Sequence, residues 1–154
     1  MKMKLTLDLV PSSCWYSNVR SILTKQQWDN LKKQVSAKAW DTCEICGGIG
    51  PKHPVECHEI WEYINKTKTQ KLTGLIALCP NCHMVKHFGL AQINNKKEIA
   101  LKHFMKVNEV TKKVAEKYIA KEFMIWAKRS AIQWKLDISI LKEYGIDIKN
   151  IPIA

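Results

Sequence analysis

Met3, Leu5, Leu7 and Leu9 alternate with polar neighbours along "MKMKLTLDLV", until Pro11 ends the run. Successive strand side chains point to opposite faces, so this pattern predicts a half-buried N-terminal strand. "PSSCWYSNVRS" has no period and reads as an irregular connector. The period then lengthens. Trp28, Leu31, Val35 and Ala39 form a helical stripe, with Thr24 placed as N-cap and Gln27 three residues on. Gly47, Gly48, Gly50, Pro51 and Pro54 interrupt regular structure. "VECHEIW" and "KLTGLIALC" read as the strands of a hairpin, joined by a long basic connection across "NKTKTQ". A helix starts at "CHMVKHFGL".

The last third has the helical period. "KKEIALKHFMKVN" and "TKKVAEKYIAKEFMIWAKRS" read as two helices separated near Asn108–Thr111. In the second, Ala115, Tyr118, Ile119, Phe123 and Trp126 recur at i, i+3 and i+4, most simply a core-facing stripe. "WKLDISIL" returns to alternation and predicts a strand able to pair with the N-terminal one. The expected fold class is α+β, in a single domain over 1–154.

Composition narrows the partners. The 154 residues suit about one domain with a real core. The longest apolar runs are too short to cross a bilayer, and the alternating N-terminus does not read as a signal peptide, so a cytoplasmic chain without membrane contact is expected. In that reducing setting six cysteines point to metal ligands more than to disulfides. The net charge is +11, and residues 64–113 carry +8 of it, with ten lysines against Glu98 and Glu109. A field that concentrated selects for a polyanion, through phosphate contacts and counterion release.

The chemistry lies inside that basic third and just before it. Cys43-x-x-Cys46 and Cys79-x-x-Cys82 supply four thiolates, enough for a tetrahedral structural Zn2+. Their separation leaves room for the whole hairpin. Cys14 and Cys57 fall outside the set and read as buried thiols. His83 and His87 are four apart on one helical face, directly after the second knuckle, and the hairpin carries His58 toward them. Three imidazoles can hold a divalent cation and leave positions for water and phosphate oxygens.

Over residues 40–90, "CEICG … VECHEIW … GLIALCPNCHMVKH" resembles the HNH endonucleases, the ββα-metal nucleases, in the small four-cysteine type found in bacteria and phages. The resemblance implies a hairpin crossed by one helix around a catalytic metal, with a separate zinc held by Cys43, Cys46, Cys79 and Cys82. That core would span 40–92. A strand and helix would precede it, and a helical extension, 93–154, ending in a strand would pack on it. His58, His83 and His87 fall on the catalytic metal ligands, for Mg2+, Mn2+, Ni2+ or Zn2+. Gly74 stands where the family has its middle Asn.

Two registers are open for the base. In one, His58 binds metal and Glu59 takes the proton; in the other, His58 is the base and Glu59 or Glu56 helps hold the metal. The implied catalytic set is therefore His58, Glu59 and His83, with Lys52 and Lys86 gripping flanking phosphates. The implied activity is metal-dependent nicking or cutting of DNA, most simply duplex DNA, with low sequence specificity. The alternative is a zinc-stapled nucleic-acid-binding module whose nuclease centre has decayed.

Overall fold

The computed structural model describes residues 2–149 and has the expected α+β class. Helices α1 (Val19–Ile22) and α2 (Lys25–Lys38) precede a hairpin of β1 (Glu56–Ile64) and β2 (Thr69–Leu78). Then come α3 (Pro80–Lys86), α4 (Phe88–Ile93), α5 (Lys97–Asn108) and α6 (Lys112–Ser130). A short strand, β3 (Lys135–Asp137), and a 3-10 helix, Ser139–Tyr144, follow.

Local chemistry explains most boundaries. α2 starts in a capping box, in which Thr24 Oγ1 accepts from the Gln27 amide and the Gln27 side chain accepts from Thr24 N–H. Its expected stripe is inward, with Leu31 and Val35 buried. Cys79 caps α3, Pro80 fills the first turn where its missing N–H costs nothing, and the helix breaks at His87 before restarting as α4. α6 packs through its stripe, with Ala115 and Ile119 buried and Tyr118 stacked on Phe104.

Four expectations need correction. The connector after Pro11 contains α1, capped by Asn18, whose side chain accepts from the Ser21 amide. The hairpin connection is short, because β1 and β2 run on until only residues 65–68 are left for the turn. The N-terminal segment is no strand among the described residues. Leu5 and Leu7 are buried as the alternation requires, but side chains and helix ends take the backbone bonds. Asn108 brackets Leu5 by accepting from its N–H and donating to its carbonyl, and Asp8 N–H donates to the Lys86 carbonyl.

The C-terminal strand also differs. β3 is three residues long and runs parallel to β2, giving the order β1-β2-β3, so among the described residues it does not pair with the N-terminal segment. Asp137 accepts from the Ser139 amide and turns the chain into the 3-10 helix, where Ile138 and Leu141 plug the core beneath α2. The sheet divides the core. On one side a cluster joins the N-terminal segment to α3, α5 and α6; on the other, one cluster joins α1 and α2 to the C-terminal turn and another joins Val35 and Ala39 to Val55, Cys57 and Ala77.

Candidate metal centres

Cys43, Cys46, Cys79 and Cys82 converge, each with its sulfur within 4.8 Å of the others. The loop that brings the first pair is shaped by two glycines. Gly47 takes a left-handed φ of 76°, which L side chains adopt reluctantly. A Cβ on Gly50 would lie 2.2 Å from the His53 carbonyl oxygen and 2.7 Å from Pro80, so only glycine lets the loop close over the start of α3. Glu44 stitches the loop to β2, its amide donating to the Ala77 carbonyl and its carboxylate accepting from the Ala77 amide.

The thiols suit one zinc. A tetrahedral shell with Zn–S near 2.3 Å has edges of roughly 3.8 Å, and Cys46 and Cys79 sulfurs lie 3.6 Å apart. Backbone amides already aim at sulfur: Cys46 N–H at Cys43, Gly48 N–H at Cys46 and Cys82 N–H at Cys79. Cys43, accepting from the Cys82 thiol, is pulled down to about 4, and Cys82 is pushed up by the same bond. Burial lifts Cys79 to about 11. Four thiolates this close repel one another, and a dication is what makes them tolerable together. His103 on α5 adds a contact that spacing gave no sign of, its Nε2 lying 3.1 Å from the Cys82 sulfur.

The second centre sits on the other side of one peptide bond. Cys82 belongs to the thiols, while His83 joins His58 and His87, with ligand nitrogens within 4.8 Å of one another. The rings meet edge to face, their centroids 4.8–5.2 Å apart. His58 comes from β1 and is buried, whereas His83 and His87 come from α3 and its end. Burial holds His58 below the usual imidazole range and His87 down to about 3, so both present neutral lone pairs near pH 7. Neutral imidazoles at that spacing suit a divalent cation of borderline softness.

Two carboxylates attend the imidazoles. Glu56 Oε2 bonds His83 Nδ1, and Asp8 Oδ2 lies 2.8 Å from His58 Nε2. Cys14 and Cys57 are buried thiols, as expected.

Glu59 does not join this group. Adjacent strand residues face opposite ways, and Glu59 shares the α2 side with Cys57 and Trp61. Its oxygens are taken there: Oε1 accepts from the Val19 amide at the start of α1, and Oε2 from Trp61 Nε1. Burial raises its pKa. Lys86, expected to grip phosphate from the surface, is instead buried. Its ammonium lies 2.8 Å from Thr6 Oγ1 and 3.2 Å from Asp8 Oδ2, because it faces the N-terminal segment rather than solvent. Lys52 is exposed. Gly74 pairs with Ile60 beside a bulge, with ordinary space for a Cβ at 3.7 Å from Ile60.

The triad opens into a cleft of about 1390 Å³ whose walls include Trp15, Tyr63, Trp126, Arg20 and Arg129. No family model, curated protein or solved structure matches the chain.

Proposed function

We propose that the chain is a metal-dependent endonuclease of the HNH kind, hydrolysing phosphodiester bonds in DNA with little sequence preference. One observation carries this reading: His58, His83 and His87 converge at the hairpin–helix corner, beside the four thiols, and open into a broad cleft. The basic surface supports it. Of the ten lysines in residues 64–113, all but Lys71 and the buried Lys86 are exposed. Aromatic and arginine side chains in the cleft wall suit stacking and phosphate contacts.

The residues divide the work as follows. His58, His83 and His87 would hold a divalent ion, which would supply Lewis acidity toward a phosphoryl oxygen. His58 and His87, neutral through burial, offer lone pairs, and Glu56 fixes the tautomer of His83 by holding Nδ1–H. Glu56 is half-exposed and on the triad face, so its remaining oxygen is the carboxylate group able to take a proton from an attacking water. Glu59 is assigned no such step, since its oxygens serve Val19 and Trp61.

A second reading has one specific support. The carboxylate at the family's base position is turned away from the triad, which suits a nucleic-acid-binding module that has lost turnover. A plasmid-nicking assay with Mg2+, Mn2+, Ni2+ or no metal separates the two. Wild type is expected to nick with at least one ion. His58→Ala and His83→Ala abolish nicking, Glu56→Gln lowers it about 10²–10⁴-fold, and Glu59→Ala retains it. No cleavage with any ion, while DNA is still bound, establishes the binding module instead.

A further inference from the structure

The N-terminal segment reaches the triad with one carboxylate. Asp8 lies 50 residues before His58 in sequence, yet its Oδ2 is 2.8 Å from His58 Nε2. The segment is fastened on both sides of this contact. Asn108 on α5 brackets Leu5, and the Asp8 amide bonds the carbonyl of Lys86 on α3. Beyond it, the Val10 carbonyl accepts from the indoles of both Trp15 and Trp126. A short extended segment therefore holds its course through partners on α3, α5 and α6 and through Trp15 just beyond it.

Asp8 also meets a second partner, the Lys86 ammonium, 3.2 Å from the same Oδ2. Its side chain is 30% exposed, whereas those of His58 and Lys86 are 3% and 9%. It is not placed as a fourth ligand. The nitrogens of His58, His83 and His87 lie within 4.8 Å of one another, and Asp8 is outside that group. Its contact is with one imidazole alone.

Resting on the reading of the triad as a cation site, we infer that Asp8 is a positioning residue for that site. It fixes the ring and tautomer of His58 from outside the coordination shell, as Glu56 does for His83. A carboxylate behind a ligating imidazole raises its basicity and holds its orientation, and losing such a partner weakens metal binding about 10–100-fold. The same contact gives the helices after residue 96 a part in the site. α5 carries Asn108, α6 carries Trp126, and both hold the segment that delivers Asp8.

The test is a Co2+ titration, followed by absorption and calorimetry, of protein whose thiols are already filled with zinc. Wild type is expected to take one further Co2+. Asp8→Asn weakens that step about 10–100-fold, with the coordination number read from the d–d bands unchanged, and Asp8→Glu recovers part of the loss. Because Asp8→Asn leaves Lys86 without its counter-charge, the Asp8→Asn/Lys86→Met double variant is measured beside it and is expected to show the same weakening. Wild-type affinity in the double variant would overturn the inference, since Asp8 would then serve only Lys86. A changed coordination number in Asp8→Asn would overturn it too, by making Asp8 a ligand. If wild type takes no second Co2+, the cation reading of the triad falls and this inference with it; equal binding by wild type and Asp8→Asn overturns the inference alone.

Discussion

The two centres share a helix and differ in how they are built. The thiol cluster is made of two local motifs, and each knuckle brings its own backbone N–H groups to sulfur. The histidine triad has no such local support. Its rings are held by carboxylates from elsewhere, Asp8 for His58 and Glu56 for His83. A centre that carries its own scaffold can staple a fold. One that borrows its supports can be emptied with the fold intact, and its properties can be tuned from a distance.

Substitutions should separate the two in order of size. Cys79→Ser or Cys43→Ser is expected to be the most damaging, because zinc-site formation in small domains is worth about 10–16 kcal/mol and whole domains are stable by only about 5–15 kcal/mol. Far-ultraviolet dichroism and zinc content should report a largely unfolded chain. If Cys79→Ser melts like wild type, the cluster is no staple and the comparison fails. Gly50→Ala comes next. Its Cβ meets the His53 carbonyl and Pro80, and such overpacking costs about 1–3 kcal/mol, measurable as a lower urea midpoint with zinc still bound.

Changes on the triad side should disturb the fold less. Glu59→Ala leaves the Val19 amide and the Trp61 indole without their acceptor, a loss of about 1–3 kcal/mol, with binding of the second metal unchanged. Weaker metal binding in that variant would return Glu59 to the centre. His83→Ala should remove the second metal equivalent, seen by calorimetry, while the zinc equivalent persists. Gly74→Asn should be the mildest, within about 0.5 kcal/mol of wild type, since a Cβ there meets only ordinary contact with Ile60.

What could be read from the sequence follows the same division. Two Cys-x-x-Cys pairs and His83-x-x-x-His87 are legible because fixed spacing on a turn or helix dictates geometry. His58 was reachable because the hairpin leads back to the same corner. Asp8 and His103 were not, because they lie 50 and 21 residues from their partners and only packing brings them in. The N-terminal alternation identified the buried residues Leu5 and Leu7 correctly but not what they pair with, since period 2 fixes faces and says nothing of partners. His58 and Glu59 are neighbours, yet only His58 faces the other two imidazoles, because on a strand the next residue is on the other side of the sheet. Lys86 reads as a surface charge because lysines usually are; nothing in its surroundings in sequence announces Thr6 and Asp8.

Cys82 and His83 are consecutive residues of α3, one in each centre. Their peptide bond ties the two sites in space: whatever sets Cys82 against the first knuckle also sets His83 against His58. Emptying the thiols is therefore expected to weaken the second site without touching any of its own ligands.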